Sequence, residues 1–391
     1  MHLRIVTGNK RPSNIRCIRL ETPLLQAVIL VFDIRSVCDD GVVHAVLPDP
    51  IFERGYNVVA SRRKDASRVR KVAQVRSEQT HVRNEFTDRS LQSRGLDLGI
   101  RLTVRPLIAA WALAPNLPWP YKALDQIGRL LPSVPGTTRR GVSLPNCKAE
   151  IATPERVDSD RYVVYMHGGA FLVGGRHLHS QLISRLARDL SAEVLQVDYR
   201  MMPDYSIDDG VADCLDAYRY ALASGVPAEQ IVFAGDSAGA YLVFMTAIVA
   251  REQGLPVPGA IVSISPPTEF ELESKLRAAH NDAMFTKSFA REFMKMVASR
   301  TVPRSLVGSD CTGLPPSLIQ VSDAELLYPD AERFAVELGR AGVSCELQVW
   351  HGQIHVFQAA ASIVPEAAAA LDEVVGFVER TLVANSAARS A

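Results

Sequence analysis

Gly235-Asp236-Ser237-Ala238-Gly239 is the segment whose residue types and spacing speak most directly of chemistry. An apolar run, Ile231–Ala234, enters it and a second apolar run, Ala238–Glu252, leaves it. Gly-x-Ser-x-Gly between a strand and a helix is the pattern of a nucleophile held on a sharp turn. The glycines leave room where a Cβ would clash, and the helix N-terminus behind Ser237 favours negative charge there. Chance alone gives roughly 0.1 such match in a chain of this length. The plain alternative is a glycine-rich strand-to-helix turn.

A serine nucleophile needs donors for the oxyanion, a base and an orienting acid. The apolar run Arg161–Met166 ends in His167-Gly168-Gly169-Ala170-Phe171. Successive small residues there free backbone N–H groups, and preformed donors at a developing oxyanion are worth several kcal/mol. Gly168 and Gly169 are expected to supply two such groups and Ala238 a third. The base is expected late in the chain, in the order Ser, acid, His. His351 and His355 both follow the run Cys345–Trp350, and Asp323 and Glu325 both follow Ser317–Val321. Either carboxylate could orient the base; an aspartate is the commoner third member, so residue type alone points to Asp323.

Other chemistry-bearing residues have plainer readings. His177 and His179 read as helix-start residues, and Asp198 and Asp236 as structural hydrogen-bonding groups. Phe285, Phe289, Phe293, Met294 and Met296 recur at helical spacing and read as core. The Arg-rich run 62–105 lacks interleaved aromatic residues and reads as a solvated face rather than a nucleic-acid site.

The elements that must carry these residues alternate. Strands are predicted at Arg161–Met166, Val194–Tyr199, Ile231–Ala234, Ala260–Ser265, Ser317–Val321 and Cys345–Trp350. Helices are predicted around 178–190 and at Val211–Ala223, Ala238–Glu252, Pro329–Ala341 and Ile363–Val383, with Thr103–Leu113 and Lys122–Leu131 earlier. Such alternation predicts an α/β fold, a mostly parallel sheet wrapped by helices. Sites in these sheets lie beyond the carboxyl ends of the strands, where Ser237 and His355 fall.

Composition narrows the classes further. The chain has 391 residues, 47% of them apolar and 22% charged, which excludes a disordered protein. Lys+Arg and Asp+Glu are both 43, so no whole-chain charge points to nucleic acid. Residues 1–105 nonetheless hold 19 basic and 11 acidic residues. Six cysteines, none close to another, argue against a zinc ribbon or disulfide framework. The apolar run Leu24–Phe32 is shorter than the ~20 residues of a membrane span and lacks a signal-peptide pattern. Residues 1–95 show little periodicity. Gln26–Phe32 and Gly41–Leu47 read as short strands, and the segment is otherwise expected to be disordered or to precede the true translation start.

His-Gly-Gly-x-Phe at 167–171 followed by Gly-Asp-Ser-Ala-Gly at 235–239 resembles the hormone-sensitive-lipase branch of α/β-hydrolase esterases. Val197-Asp198-Tyr199-Arg200-Met201-Met202-Pro203-Asp204, Leu314-Pro315-Pro316 and His351-Gly352-Gln353-Ile354-His355-Val356-Phe357 resemble it too. The likeness runs from about Leu102 to Val383. Two departures stand out: Ala170 replaces a frequent third glycine, and Met201-Met202-Pro203-Asp204 replaces Leu-Ala-Pro-Glu.

The resemblance implies an α/β-hydrolase fold with a small helical cap. It divides the chain into a basic, poorly ordered extension, 1–101, and a hydrolase domain, 102–391, with the cap from about 103–131 and 266–313. The short stretch between Arg300 and Leu314 implies that part of the cap is trimmed. The resemblance favours His355 as base and Glu325 as acid, because Glu325-Leu326-Leu327 with Asp330 fits the family register and Asp323 does not. It implies a serine carboxylesterase or lipase with catalytic Ser237, Glu325 and His355, an oxyanion hole of Gly168, Gly169 and Ala238, and the loop motif begun by His167. Short- to medium-chain esters, no metal, no cofactor and no nucleic-acid partner are expected, in the cytoplasm or peripheral to a membrane. Phospholipid or amide cleavage uses the same triad, and a ligand-binding member of the fold is the non-catalytic alternative.

Overall fold

The computed structural model describes residues 2–5, 17–19, 42–45, 71–76, 81–130, 134–157, 161–278, 282–300 and 302–390. The chain divides into two units, Met1–Ala66 and Ser67–Ala391. In the first, β1 (His2–Ile5) pairs antiparallel with β2 (Cys17–Arg19) and parallel with β3 (Val42–Ala45). The strand expected within Gly41–Leu47 is thus present, and the run Gln26–Phe32 lies outside the described residues.

The second unit is built on a ten-stranded sheet. Its strands are β4 (Lys71–Arg76), β5 (His81–Phe86), β6 (Thr137–Ser143), β7 (Lys148–Pro154), β8 (Tyr162–Met166), β9 (Glu193–Asp198), β10 (Ile231–Asp236), β11 (Ala260–Ile264), β12 (Ser317–Val321) and β13 (Cys345–Trp350). The order is β4-β5-β13-β12-β11-β10-β8-β9-β7-β6. Strands from β5 through β9 run parallel, and β4, β7 and β6 add antiparallel edges. The central strands β8, β10, β11 and β12 are buried throughout, as parallel strands covered on both faces must be.

Period-two alternation splits each strand between two cores. Val164 and Met166 of β8 face one side with α5 (Ile207–Ala223), α6 (Ala238–Glu252) and α9 (Tyr328–Arg340). Val163 and Tyr165 face the other with α4 (Ser180–Leu190) and α10 (Pro365–Ser390). The start of α5 is set by a capping box, Ser206 with Asp209.

The expected boundary at 101/102 needs correction, because the second unit starts at Ser67. β5 pairs with β13 in register from His81↔Cys345 to Phe86↔Trp350, and the Phe86 ring stacks on Trp350 at 3.9 Å. Helix α1 (Leu91–Leu102) is tied to α10, where the Ser90 hydroxyl donates to Glu366 at 2.8 Å. High Arg content hid these elements because their charges are paired, Arg83 with Glu85 and Glu332. The edge strands β6 and β7, not expected from the sequence, lack a sustained apolar run; β6 is mostly exposed and β7 mostly buried.

Beyond the carboxyl ends of the sheet lie α2 (Val104–Leu113), α3 (Tyr121–Ile127), α7 (Leu272–Ala278) and α8 (Lys287–Ala298). Trp111 of α2 meets Phe289 of α8 at 5.5 Å between ring centres. No helix of the described residues is long and apolar enough to cross a membrane.

Candidate active site

Ser237 sits at the junction of β10 and α6 with φ 51° and ψ −119°, a backbone region that costs a serine of order 1–3 kcal/mol. Its N–H is held by Ile264 O at 2.7 Å. The turn is closed by glycine: a Cβ on Gly239 would lie 1.8 Å from Met166 O. This contact locks the elbow against the end of β8, where the next functional loop begins.

The Ser237 Oγ lies 2.8 Å from His355 Nε2, and His355 Nδ1 lies 2.5 Å from Glu325 Oε2. All three residues are buried. The second Glu325 oxygen accepts from the Ser265 hydroxyl and the Ser322 N–H, each at 2.8 Å. Burial alone would lower the His355 pKa, but the charge and hydrogen bond of Glu325 overcome it and hold it above the ordinary histidine value. The Phe285 ring stands edge-on to the imidazole at 4.9 Å. Such a line can draw the proton from a serine hydroxyl, stabilise the imidazolium, and return the proton to a leaving group.

The two carboxylates left open by residue type are separated in space. Asp323 accepts from the Gly352 N–H at 2.7 Å and bonds His351 Nδ1 at 2.8 Å. His351 Nε2 in turn meets Glu85 at 2.6 Å. Asp323 and His351 therefore brace the loop that carries His355. Ser93 of α1 reaches the same loop, its hydroxyl donating to Gln353 at 2.7 Å. Neither contact was visible in sequence, because Glu85 and Ser93 lie more than 250 residues away along the chain.

Asp236, beside Ser237, ties the β10–α6 turn to the loop that follows β8. One oxygen accepts from the Tyr165 hydroxyl at 2.7 Å and from the Gly168 N–H at 3.1 Å. The other lies 3.4 Å from His179 Nε2. Burial pushes the Asp236 carboxyl up, but His179 and these hydrogen bonds bring it below its ordinary value. His179, read as a helix-start residue, also has its pKa raised against burial by Asp236. His167 is fully buried, stacks on Tyr199 at 4.4 Å and bonds Gly168 O at 2.7 Å. Burial, with the His179 charge, lowers its pKa to about 4, so it packs as a neutral ring.

Gly168 requires a correction: its N–H is spent on Asp236 and is not free for an oxyanion. A Cβ there would also strike the Asp236 carboxylate at 2.1 Å, which accounts for the glycine. The N–H groups of Gly169, Ala170 and Ala238 make no hydrogen bond to another described residue. Ala170 and Ala238 line the cavity next to Ser237. Ala170 holds φ 56°, which a third glycine would adopt without strain. Its position one residue after the glycine pair was the signal that could have identified it.

The cavity at Ser237 is narrow, about 50 Å³, and aromatic. Phe171, Phe270, Phe285, Phe289 and Phe293 line it; Phe285 and Phe289 belong to the core as expected, with Phe293 and Met296 packed on it, and the three rings also wall the pocket. Lys275 and Glu269 also line it, and both are buried. Lys275 pairs with buried Asp330, and Glu269 with Arg333 at 2.8 Å. Asp282 links this wall to the acid: it accepts from Leu326 N–H at 2.8 Å and from Phe285 N–H at 2.8 Å. No group of three or more His, Cys, Asp or Glu residues placed to hold a metal is present among the described residues.

A family model described as alpha/beta hydrolase fold matches residues 163–359. The chain is 38% identical over 295 residues to the esterase LipU of Mycobacterium tuberculosis, covering 71% of this chain and 98% of that protein. It is 36% identical over 309 residues to the carboxylesterase/phospholipase LipF of the same organism, covering 74% of this chain and 82% of that one. A crystal structure of an esterase from the bacterial hormone-sensitive lipase family is 27% identical, with a TM-score of 0.67 over 75% of this chain and 99% of that chain. The sheet, the Gly-x-Ser-x-Gly turn and these likenesses agree: the chain belongs to the α/β-hydrolase family, in its hormone-sensitive-lipase-like branch of esterases and lipases.

Proposed function

We propose that this carboxylic ester hydrolase works through an acyl-enzyme on Ser237, with His355 as base and acid and Glu325 as its orienting carboxylate. The observation that carries the reading is the unbroken hydrogen-bond line from Ser237 through His355 to Glu325. Ser237 Oγ attacks the ester carbonyl while its proton passes to His355 Nε2. The carbonyl oxygen becomes an oxyanion, taken up by the N–H groups of Gly169, Ala170 and Ala238. The tetrahedral intermediate collapses, the alkoxide leaves with the proton from His355, and an ester to Ser237 remains. Water, deprotonated by His355, repeats the sequence and releases the acid.

The substrates we propose are esters of short to medium acyl chains, because the pocket at Ser237 is small and ringed by phenylalanines. The cap is assigned to the segments 103–131 and 266–313, which supply Phe285 and Phe289 to the pocket wall and Trp111 behind Phe289. Hydrolysis of a p-nitrophenyl ester series from two to sixteen acyl carbons, by wild type and Ser237→Ala together, tests both points. Turnover with a short- or medium-chain optimum, abolished in Ser237→Ala, is expected. A folded protein no more active than the variant on any chain would refute the reading.

A further inference from the structure

Exposed large apolar side chains are unevenly placed. Among the described residues there are twelve, and eight lie between Leu91 and Ile127. Singly scattered exposed leucines need no explanation, but a run of them on neighbouring helices marks an interaction surface.

Helix α1 has two apolar faces, and α2 carries exposed leucines beside its anchored Trp111. On α1, Leu96 and Ile100 pack against the body. Leu91, Leu98 and Leu102, at spacings of seven and four, form a separate stripe open to solvent. On α2, Trp111 turns inward against Phe289. Leu107 and Leu113 turn outward, 65% and 85% exposed. Leu117 extends the outer face into the following loop, 58% exposed. Inner residues anchor these helices, and the outer leucines stay largely open to solvent.

Charge says what covers them. Residues 89–129 hold six basic and two acidic residues, whereas residues 130–391 hold 22 basic and 31 acidic. Both acids of the segment are engaged: Asp97 with Arg89 and Arg101, Asp125 buried against the N–H groups of His177 and Leu178. A basic, leucine-bearing surface on an otherwise acidic body fits an anionic, apolar partner. We propose that the outer face of α1, α2 and the loop after it docks onto an anionic lipid surface. Leucines enter the acyl boundary and arginines such as exposed Arg94 meet the headgroups. The inner face of α2 borders the cavity at Ser237 through Phe289, so docking would set the cavity near the lipid.

Full-length protein is sedimented with vesicles of equal phosphatidylglycerol and phosphatidylcholine, and with pure phosphatidylcholine vesicles. Binding to the anionic vesicles is expected, at least roughly tenfold tighter than to the neutral ones and weakening as salt rises. Leu107→Ser with Leu113→Ser should weaken it at least about tenfold. The same variant should keep the fold and its turnover of a water-soluble acetate ester. The binding readout needs no turnover, so it stands or falls apart from the esterase reading. Absence of binding to anionic vesicles at low salt would overturn the proposal, as would binding undiminished in the double variant. A dimer made monomeric by the double variant, without vesicle binding, would assign the face to a second copy and overturn it as well.

Discussion

Replacing Glu325 by glutamine removes the charge and keeps the shape, and the hydrogen bonds around the residue dictate the outcome. Glu325 Oε1 accepts from the Ser322 N–H, a fixed backbone donor, and from the Ser265 hydroxyl. A glutamine must keep its carbonyl oxygen on that side, because its NH2 cannot accept from Ser322. The NH2 then faces His355 Nδ1, where Glu325 Oε2 stood at 2.5 Å. A donor at that position requires Nδ1 to be the unprotonated nitrogen, which puts the remaining proton on Nε2. Nε2–H points at Ser237 and cannot take its proton. Loss of the right tautomer in a triad of this geometry costs about 10⁴ in kcat, close to 5.5 kcal/mol. Asp323→Asn is the control, since Asp323 braces His351 and Gly352 and does not touch His355. It should stay within about tenfold of wild type. The assay is p-nitrophenyl butyrate turnover, with thermal melts to confirm that both variants fold. Glu325→Gln retaining more than a tenth of wild-type kcat, or Asp323→Asn falling below it, would refute the assignment.

The His355 pKa is raised above the ordinary histidine value, and only its neutral form accepts the serine proton. kcat/KM should therefore rise through an acid limb above about pH 6.5, and a limb below that value would contradict the Glu325 contribution. Ala170 spends about 1–2 kcal/mol on its left-handed φ, and a glycine returns roughly half of it to chain entropy. Ala170→Gly should thus gain about 0.5–1 kcal/mol in a thermal melt with activity kept; a lower Tm would be the wrong sign. Lys275→Met leaves buried Asp330 without its ammonium partner and should cost about 3–5 kcal/mol in urea unfolding. Adding Asp330→Leu should restore part of that loss, and a further drop would show that the pair itself stabilises the wall.

The sheet core and the nucleophile turn were legible because their signals are local. β10 reads as apolar residues followed at once by Gly-x-Ser-x-Gly, and the glycines answer to contacts such as Gly239 with Met166 O. The pairing of His355 with Glu325 was expected only through the family likeness, since residue type alone pointed to Asp323 and left His351 as a competitor. The loop donors were half legible. A glycine pair signals free N–H groups, but only the fold shows that Asp236 consumes that of Gly168 and leaves those of Gly169 and Ala170. The elements before Leu102 were missed because β5 owes its place to pairing with β13, far along the chain. An arginine in a strand reads as surface until Glu85, Glu332 and Tyr328 are seen around Arg83. The antiparallel edge of β6 and β7 escaped because neither strand carries an apolar run: β6 is mostly exposed, and β7 is buried largely by its pairing and packing.

Covalent trapping with diethyl p-nitrophenyl phosphate, followed by peptide mass spectrometry, tests Ser237 as the nucleophile. One diethylphosphoryl adduct per chain is expected, on Ser237, matching the loss of esterase activity and absent from Ser237→Ala. An adduct on any other residue that tracks the loss of activity, or full activity with Ser237 blocked, would contradict it.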